Sequence, residues 1–273
     1  MTENAEKKRL CKHKEDLQRL KNFRPIDDTF MRGLFKDNIP LVELVLRIII
    51  EKPDLVITRC ETQADMKRVT GARSVCLDAY ATDSNGKKYD IEVQRSDNGT
   101  DPHRARYYSS IMDIENLDEN QDYSALPDTY VIFITENDYF KNSDAVYIIQ
   151  NMNLTTGTSF EDGSHIIYVN GQYRGDSDIG KLMHDFNCTD ANDMNFELIA
   201  SKTRYLKENP KGVREMCKAM EDLRSESFAE GREEQAKTTA LKLIKKGYSI
   251  DDIADIIEFD VNTIREWLTD AAV

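Results

Sequence analysis

Residues 74–94 run Ser-Val-Cys-Leu-Asp-Ala-Tyr-Ala-Thr-Asp-Ser-Asn-Gly-Lys-Lys-Tyr-Asp-Ile-Glu-Val-Gln, two strand-forming stretches on either side of Asn85-Gly86. Asn-Gly between alternating apolar residues is a strong hairpin signal, because both residues tolerate positive φ. Side chains on a strand alternate faces, so the length of the loop decides the face of every residue in the hairpin. A two-residue loop pairs Asp78 with Val93 and mixes polar with apolar residues on both faces. A three-residue loop, residues 84–86 with Gly86 left-handed, pairs Asp78 with Glu92, Cys76 with Gln94 and Tyr80 with Asp90. The other face then holds Leu77 with Val93, Ala79 with Ile91 and Ala81 with Tyr89, apolar apart from one hydroxyl. Only the second register sorts the hairpin, and it is the one expected.

In that register the Cβ atoms of Asp78 and Glu92 lie about 5 Å apart. Asp90 and Gln94 share their face, and no basic residue of the hairpin stands opposite either acid. Two carboxylates that close repel each other unless a cation lies between them. A polar, solvated strand face is the bland alternative, but Asp and Glu disfavour strand interiors. A hard divalent ion suits the oxygen donors: Mg²⁺ typically takes one or two protein carboxylates, waters and a substrate phosphate. The expected metal-holding set is Asp78, Glu92, Asp90 and the Val93 carbonyl, with Mn²⁺ as a substitute ion. The reading requires the two acids to share a side of the ribbon and not to be tied each to its own arginine.

Around the hairpin, apolar residues at helical spacing predict a helix over 39–51, ended by Pro53. Strand-like runs cover 55–62, 74–82 and 87–95. Asp101-Pro102 reads as the N-cap and first turn of a helix reaching about Glu115. Thr129–Thr135 is an unbroken β-branched and aromatic run, as expected of a central buried strand, and shorter strands are expected at 145–150 and 165–169. From 179 onward the pattern is helical, over 179–186, 193–208, 211–246, 250–257 and 261–268. The order implies an α/β core with a helical C-terminal tail.

The chain has 273 residues, enough for one sizeable core and a smaller appendage. Five scattered cysteines without a CxxC pair speak against a disulfide framework or structural zinc. No apolar run spans a bilayer, and the first twenty residues lack the apolar stretch of a secretion signal, so a cytoplasmic protein without membrane contact is expected. The net charge of −13 is uneven: residues 1–24 hold eight bases against four acids, or +4, which leaves −17 for the rest. Contact with phosphates on such a chain requires a local basic groove and should be salt-sensitive.

Leu77-Asp78, Lys88-Tyr-Asp-Ile-Glu-Val-Gln94 and Arg104-Ala-Arg-Tyr-Tyr108 together resemble the signature of the recombination-promoting nuclease and transposase branch of the PD-(D/E)XK nuclease superfamily. Ile26–Phe30, Leu126-Pro127, Ile132–Asp138, Tyr168–Asn170, Leu182–Asp185 and Lys211-Gly212 extend the likeness over roughly residues 23–217. The resemblance implies a restriction-endonuclease-like core (helix, three-strand meander, helix, strand) with added strands, and Mg²⁺-dependent cleavage of DNA phosphodiesters linked to recombination or a mobile element. The expected division is a basic N-terminal tail or helix (1–22), a nuclease-like domain (23–200) and a helical tail (201–273) ending in an acidic helix-turn-helix-like pair. Asp78 and Glu92 match the motif acids, while Gln94 stands where a lysine is usual. Glutamine takes no proton, so Gln94 is expected to orient water rather than act as a base. Glu43, on the preceding helix, is expected to add a metal or water contact, and Arg104, Arg106, Arg73 and Arg95 are the expected nucleic-acid contacts. The competing reading is a nuclease-fold scaffold of weak activity that works through its tail.

The tail ends in two short amphipathic helices joined by a polar turn, the cadence of a helix-turn-helix. Seven acids against Arg265 between Ser249 and Val273 would repel DNA. Homo-oligomer formation or partner docking is expected instead, through an apolar face led by Ile253, Ile256, Ile257, Ile264, Trp267 and Leu268.

Overall fold

The turn after Asp83 sets the register of the whole central hairpin. The Asp83 carboxylate is buried and accepts hydrogen bonds from Asn85 N–H at 2.8 Å, Lys87 N–H at 2.9 Å and the Tyr89 hydroxyl at 2.9 Å. Asp83 N–H donates to the Lys87 carbonyl at 3.1 Å, which closes the three-residue loop around Gly86 at φ +84°. The strands are thereby held as expected, with Ala79 against Ile91, Tyr80 against Asp90 and Ala81 against Tyr89.

The computed structural model describes residues 14–66, 75–95 and 100–270. Helices α1 (Asp28–Phe35) and α2 (Ile39–Ile49) precede the strands β1 (Ile57–Met66), β2 (Val75–Asp83) and β3 (Lys88–Gln94). Helix α3 (Pro102–Asn116) leads to β4 (Thr129–Thr135); β5 (Val146–Ile149), a small hairpin of β6 (Met152–Asn153) and β7 (Thr158–Ser159), and β8 (Ser164–Asn170) follow. The six-stranded sheet has the order β1-β2-β3-β4-β8-β5, antiparallel through β3, parallel from β3 to β4 to β8, and antiparallel again at β5. All seven residues of β4 are buried, as befits a strand between two parallel neighbours. Helix α3 starts on Asp101, whose side chain accepts the His103 N–H at 2.7 Å, and it packs Ala105, Tyr108 and Met112 onto Leu77, Val131 and Phe133.

Helices α4 (Asp178–Asn187) and α5 (Glu197–Glu208) complete the first of two compact units, residues 1–217. The boundary expected after residue 200 therefore moves: α5 packs against α1 and α2 and belongs to the sheet unit. The second unit, residues 218–273, holds most of α6 (Pro210–Ile244) with α7 (Ile250–Ile257) and α8 (Val261–Asp270). Ser249 caps α7 by accepting the Asp252 N–H at 3.1 Å. Ile253, Ile264 and Trp267 close onto Ala236 and Ala240, with Ile257 and Leu268 packed alongside. Most of the face expected to meet a partner is turned inward by this packing, and Ile256 is the member of it that stays 54% exposed. No helix among the described residues is long and apolar enough to cross a membrane.

Candidate active site

One step beyond the Ala79–Ile91 pair, carboxylates take over from the backbone ladder. Asp78 N–H donates to Glu92 Oε1 at 3.0 Å, and Val93 N–H lies 3.5 Å from Asp78 Oδ2 as its donor. On the other flank of β2 the register passes from Thr62–Ala79 to Ala64–Leu77 around Gln63, whose φ is +56°. A left-handed residue inside a strand kinks it and re-aims the neighbouring side chains, and this kink lies directly across from Asp78.

The three acids are buried, with Asp78 7% exposed, Glu92 1% and Asp90 0%. Burial pushes the Asp78 carboxyl up to about 6; repulsion from Asp28 adds to this, and Arg32, the Val93 N–H and Arg104 oppose it. Burial likewise pushes Glu92 up to about 8, with Asp78 adding repulsion against the pull of the Asp78 N–H and Arg104. Asp90 rises well above the ordinary carboxylate range, from burial first and then from Glu92 and Asp78. Neither oxygen of Asp90 has a hydrogen-bond partner; the Glu92 carboxyl beside it can bond to it only if one of the two carries a proton.

The expectation that no base faces these acids is corrected. The bases come from helices rather than from the hairpin: Arg104 on α3 donates to Glu92 Oε2 at 2.9 Å, and Arg32 on α1 has Nη2 at 3.6 Å from Asp78 Oδ1. Asp78 and Glu92 thus each have an arginine, which is the condition stated above against a metal site. The compensation is incomplete. Arg32 spends its shorter bond, 2.9 Å from Nε, on Asp28, so two guanidiniums face four carboxylates, and Asp78 and Glu92 still sit above the usual range.

No group of three or more His, Cys, Asp or Glu side chains among the described residues is gathered in a metal-binding arrangement. Two converging carboxylates nevertheless match the donor number Mg²⁺ takes from protein, and both oxygens of the buried Asp90 are left without a hydrogen-bond partner. The donor set fits a hard divalent cation.

The other expected residues divide. Gln94 lies at the site, its Nε2 3.5 Å from Glu92 Oε2. Glu43 does not: it accepts the Ile57 N–H at 2.9 Å and pairs with Arg47 at 2.6 Å. Ile57 is paired with Asp83, at the far end of β2 from Asp78, so Glu43 tethers the start of β1. Arg95 pairs with Asp27 at 3.2 Å and Glu136 at 3.4 Å while staying 57% exposed. Arg106 is exposed, two residues round α3 from Arg104, and Arg73 lies outside the described residues. Arg32 and Tyr108 were not among the expected site residues. Their signal is an i,i+4 pairing on one helix face, Asp28 with Arg32 and Arg104 with Tyr108.

A mixed sheet whose second and third strands bring buried acids to the edge of a central parallel pair defines a PD-(D/E)XK nuclease-like fold. Residues 41–172 match the family model described as PD-(D/E)XK nuclease family transposase, a likeness that supports a nuclease- or transposase-like function. The matched segment contains every strand of the sheet, Asp78, Glu92 and Arg104, and stops short of Asp28 and Arg32 on its N-terminal side. Comparison with curated proteins and with solved structures returned no match.

Proposed function

We propose that the protein is a divalent-metal-dependent DNA endonuclease, acting in recombination or the movement of a genetic element from the cytoplasm. The observation that carries this reading is the meeting of Asp78 and Glu92, buried and above the usual carboxylate range although each has an arginine neighbour. Asp78, Glu92, Asp90 and the Val93 carbonyl would hold Mg²⁺ or Mn²⁺. When bound, such an ion supplies charge neutralisation at a phosphate and a water of lowered pKa. Gln94, beside Glu92, can orient that water through its amide but has no site for its proton. Arg104 at the acids and the exposed Arg95 and Arg106 supply positive charge for DNA phosphates, with Arg73 as a further contact. Asp78→Asn and Glu92→Gln are each expected to abolish metal-dependent cleavage in folded protein; undiminished cleavage by both purified variants refutes the assignment.

The two arginine contacts and Gln94 favour a second reading, a catalytically weak nuclease-fold scaffold. Divalent-ion binding separates the two, since the scaffold needs none. For the second unit we propose self-association through the exposed part of α7, where Ile256 neighbours the exposed Asp252 and Asp255. Ile256→Glu is expected to lower the oligomeric state seen by light scattering and leave DNA affinity unchanged.

A further inference from the structure

Both oxygens of Glu92 are engaged: Oε1 by the Asp78 N–H at 3.0 Å, and Oε2 by Arg104 Nη2 at 2.9 Å. The two arginines at the acids carry two positive charges, the charge of one divalent ion, but they are held differently. Arg32 is clamped by Asp28 through Nε. Arg104 reaches Glu92 from the rim, where its side chain is 32% exposed. It also meets Tyr108, the hydroxyl at 2.6 Å from Nη2 and the ring centroid at 4.8 Å from the guanidinium carbon, and lies 6.0 Å from the centroid of the Phe133 ring. A guanidinium and a metal ion on one carboxylate oxygen repel each other, so a cation that takes Glu92 Oε2 must move the arginine that holds it, which is Arg104.

We infer that Arg104 is a placeholder for the metal: it occupies Glu92 in the metal-free protein and leaves when a divalent cation binds, pivoting from the Tyr108 ring toward solvent. Resting on the proposed metal site, this makes Arg104 a two-position side chain. The cation that completes the site also frees a guanidinium at its rim, where a DNA phosphate would lie. Metal and DNA then favour each other's binding, because the ion alone breaks the Arg104–Glu92 pair.

Wild-type crystals grown with and without Mn²⁺ test the inference directly. The expected pair shows Arg104 on Glu92 without Mn²⁺; with it, anomalous density lies at the acids and the guanidinium is beyond about 4 Å from Glu92, the limit of an ion pair. Density at the acids with Arg104 still on Glu92 overturns the placeholder and leaves the metal site standing, whereas no density at the acids overturns both. In solution, a Mg²⁺ titration read on the ¹⁵N signals of arginine side chains is expected to shift and broaden those of Arg104, assigned by their loss in Arg104→Gln or Arg104→Lys. Unmoved Arg104 signals at saturating Mg²⁺ contradict the inference.

Discussion

A glutamate that is 1% exposed and pushed up to about 8 makes stability depend on pH in a definite direction. A carboxyl whose folded-state pKa lies above its unfolded value binds its proton more tightly in the folded protein. Its contribution is complete below the unfolded pKa and is lost as pH rises through the folded one. The windows run from 3.8 to about 6 for Asp78 and from 4.5 to about 8 for Glu92. The melting temperature of metal-free protein is therefore expected to fall as pH rises from about 5 to 8. Glu92→Gln should flatten the upper part of that fall, and saturating Mg²⁺ should restore stability most at the alkaline end. A metal-free protein that gains stability across this range would contradict the buried-acid account. The meeting of these two acids was legible because strand alternation is a local rule. Their arginines were not, since Arg32 and Arg104 arrive on helices whose placement over the sheet no local pattern encodes.

At the scale of the element, the hairpin depends on Asp83 as much as on Asn85-Gly86. Asp83→Ala strands two loop N–H donors and the Tyr89 hydroxyl, and unsatisfied buried groups cost about 1–3 kcal/mol each at most. Chemical denaturation should show a loss of that order, with cleavage falling too as the register loosens. Glu43→Gln gives the opposite profile: lower stability from the weakened Ile57 and Arg47 contacts, with metal affinity unchanged, which isothermal titration can check. A loss of metal affinity in that variant would return Glu43 to the site. Elements with an unmistakable pattern were legible to the residue, as at Thr129–Thr135 and Ile250–Ile257. Helix α1 and the β6–β7 hairpin were not read as elements: α1 is a short helix held by tertiary packing, and each of those strands is only two residues long.

On the scale of the whole chain, charge and modularity act together. Residues 218–273 hold 8 bases and 13 acids, a net of −5, so −8 of the total −13 belongs to the sheet unit. DNA affinity should thus rest on few basic contacts, so that it is weak and falls with salt only in proportion to their number. Trp267 is the second unit's large buried anchor. Trp267→Ala should destabilise that unit by about 3–5 kcal/mol, seen as faster amide exchange over residues 236–268, and leave cleavage intact. The amphipathic helix pair was legible in the sequence, but its partner was not: the apolar face meets Ala236 and Ala240 of the same chain. Net charge, likewise, could not show that the acids of the site lie buried beside two arginines. Whether those acids hold a cation is decided by titrating the metal-free protein with Mn²⁺ and counting free ion by electron paramagnetic resonance. Uptake at millimolar concentration that disappears in Asp78→Asn is the expected result; a wild-type protein that takes up none, or an Asp78→Asn variant that binds equally well, would overturn the assignment of the site.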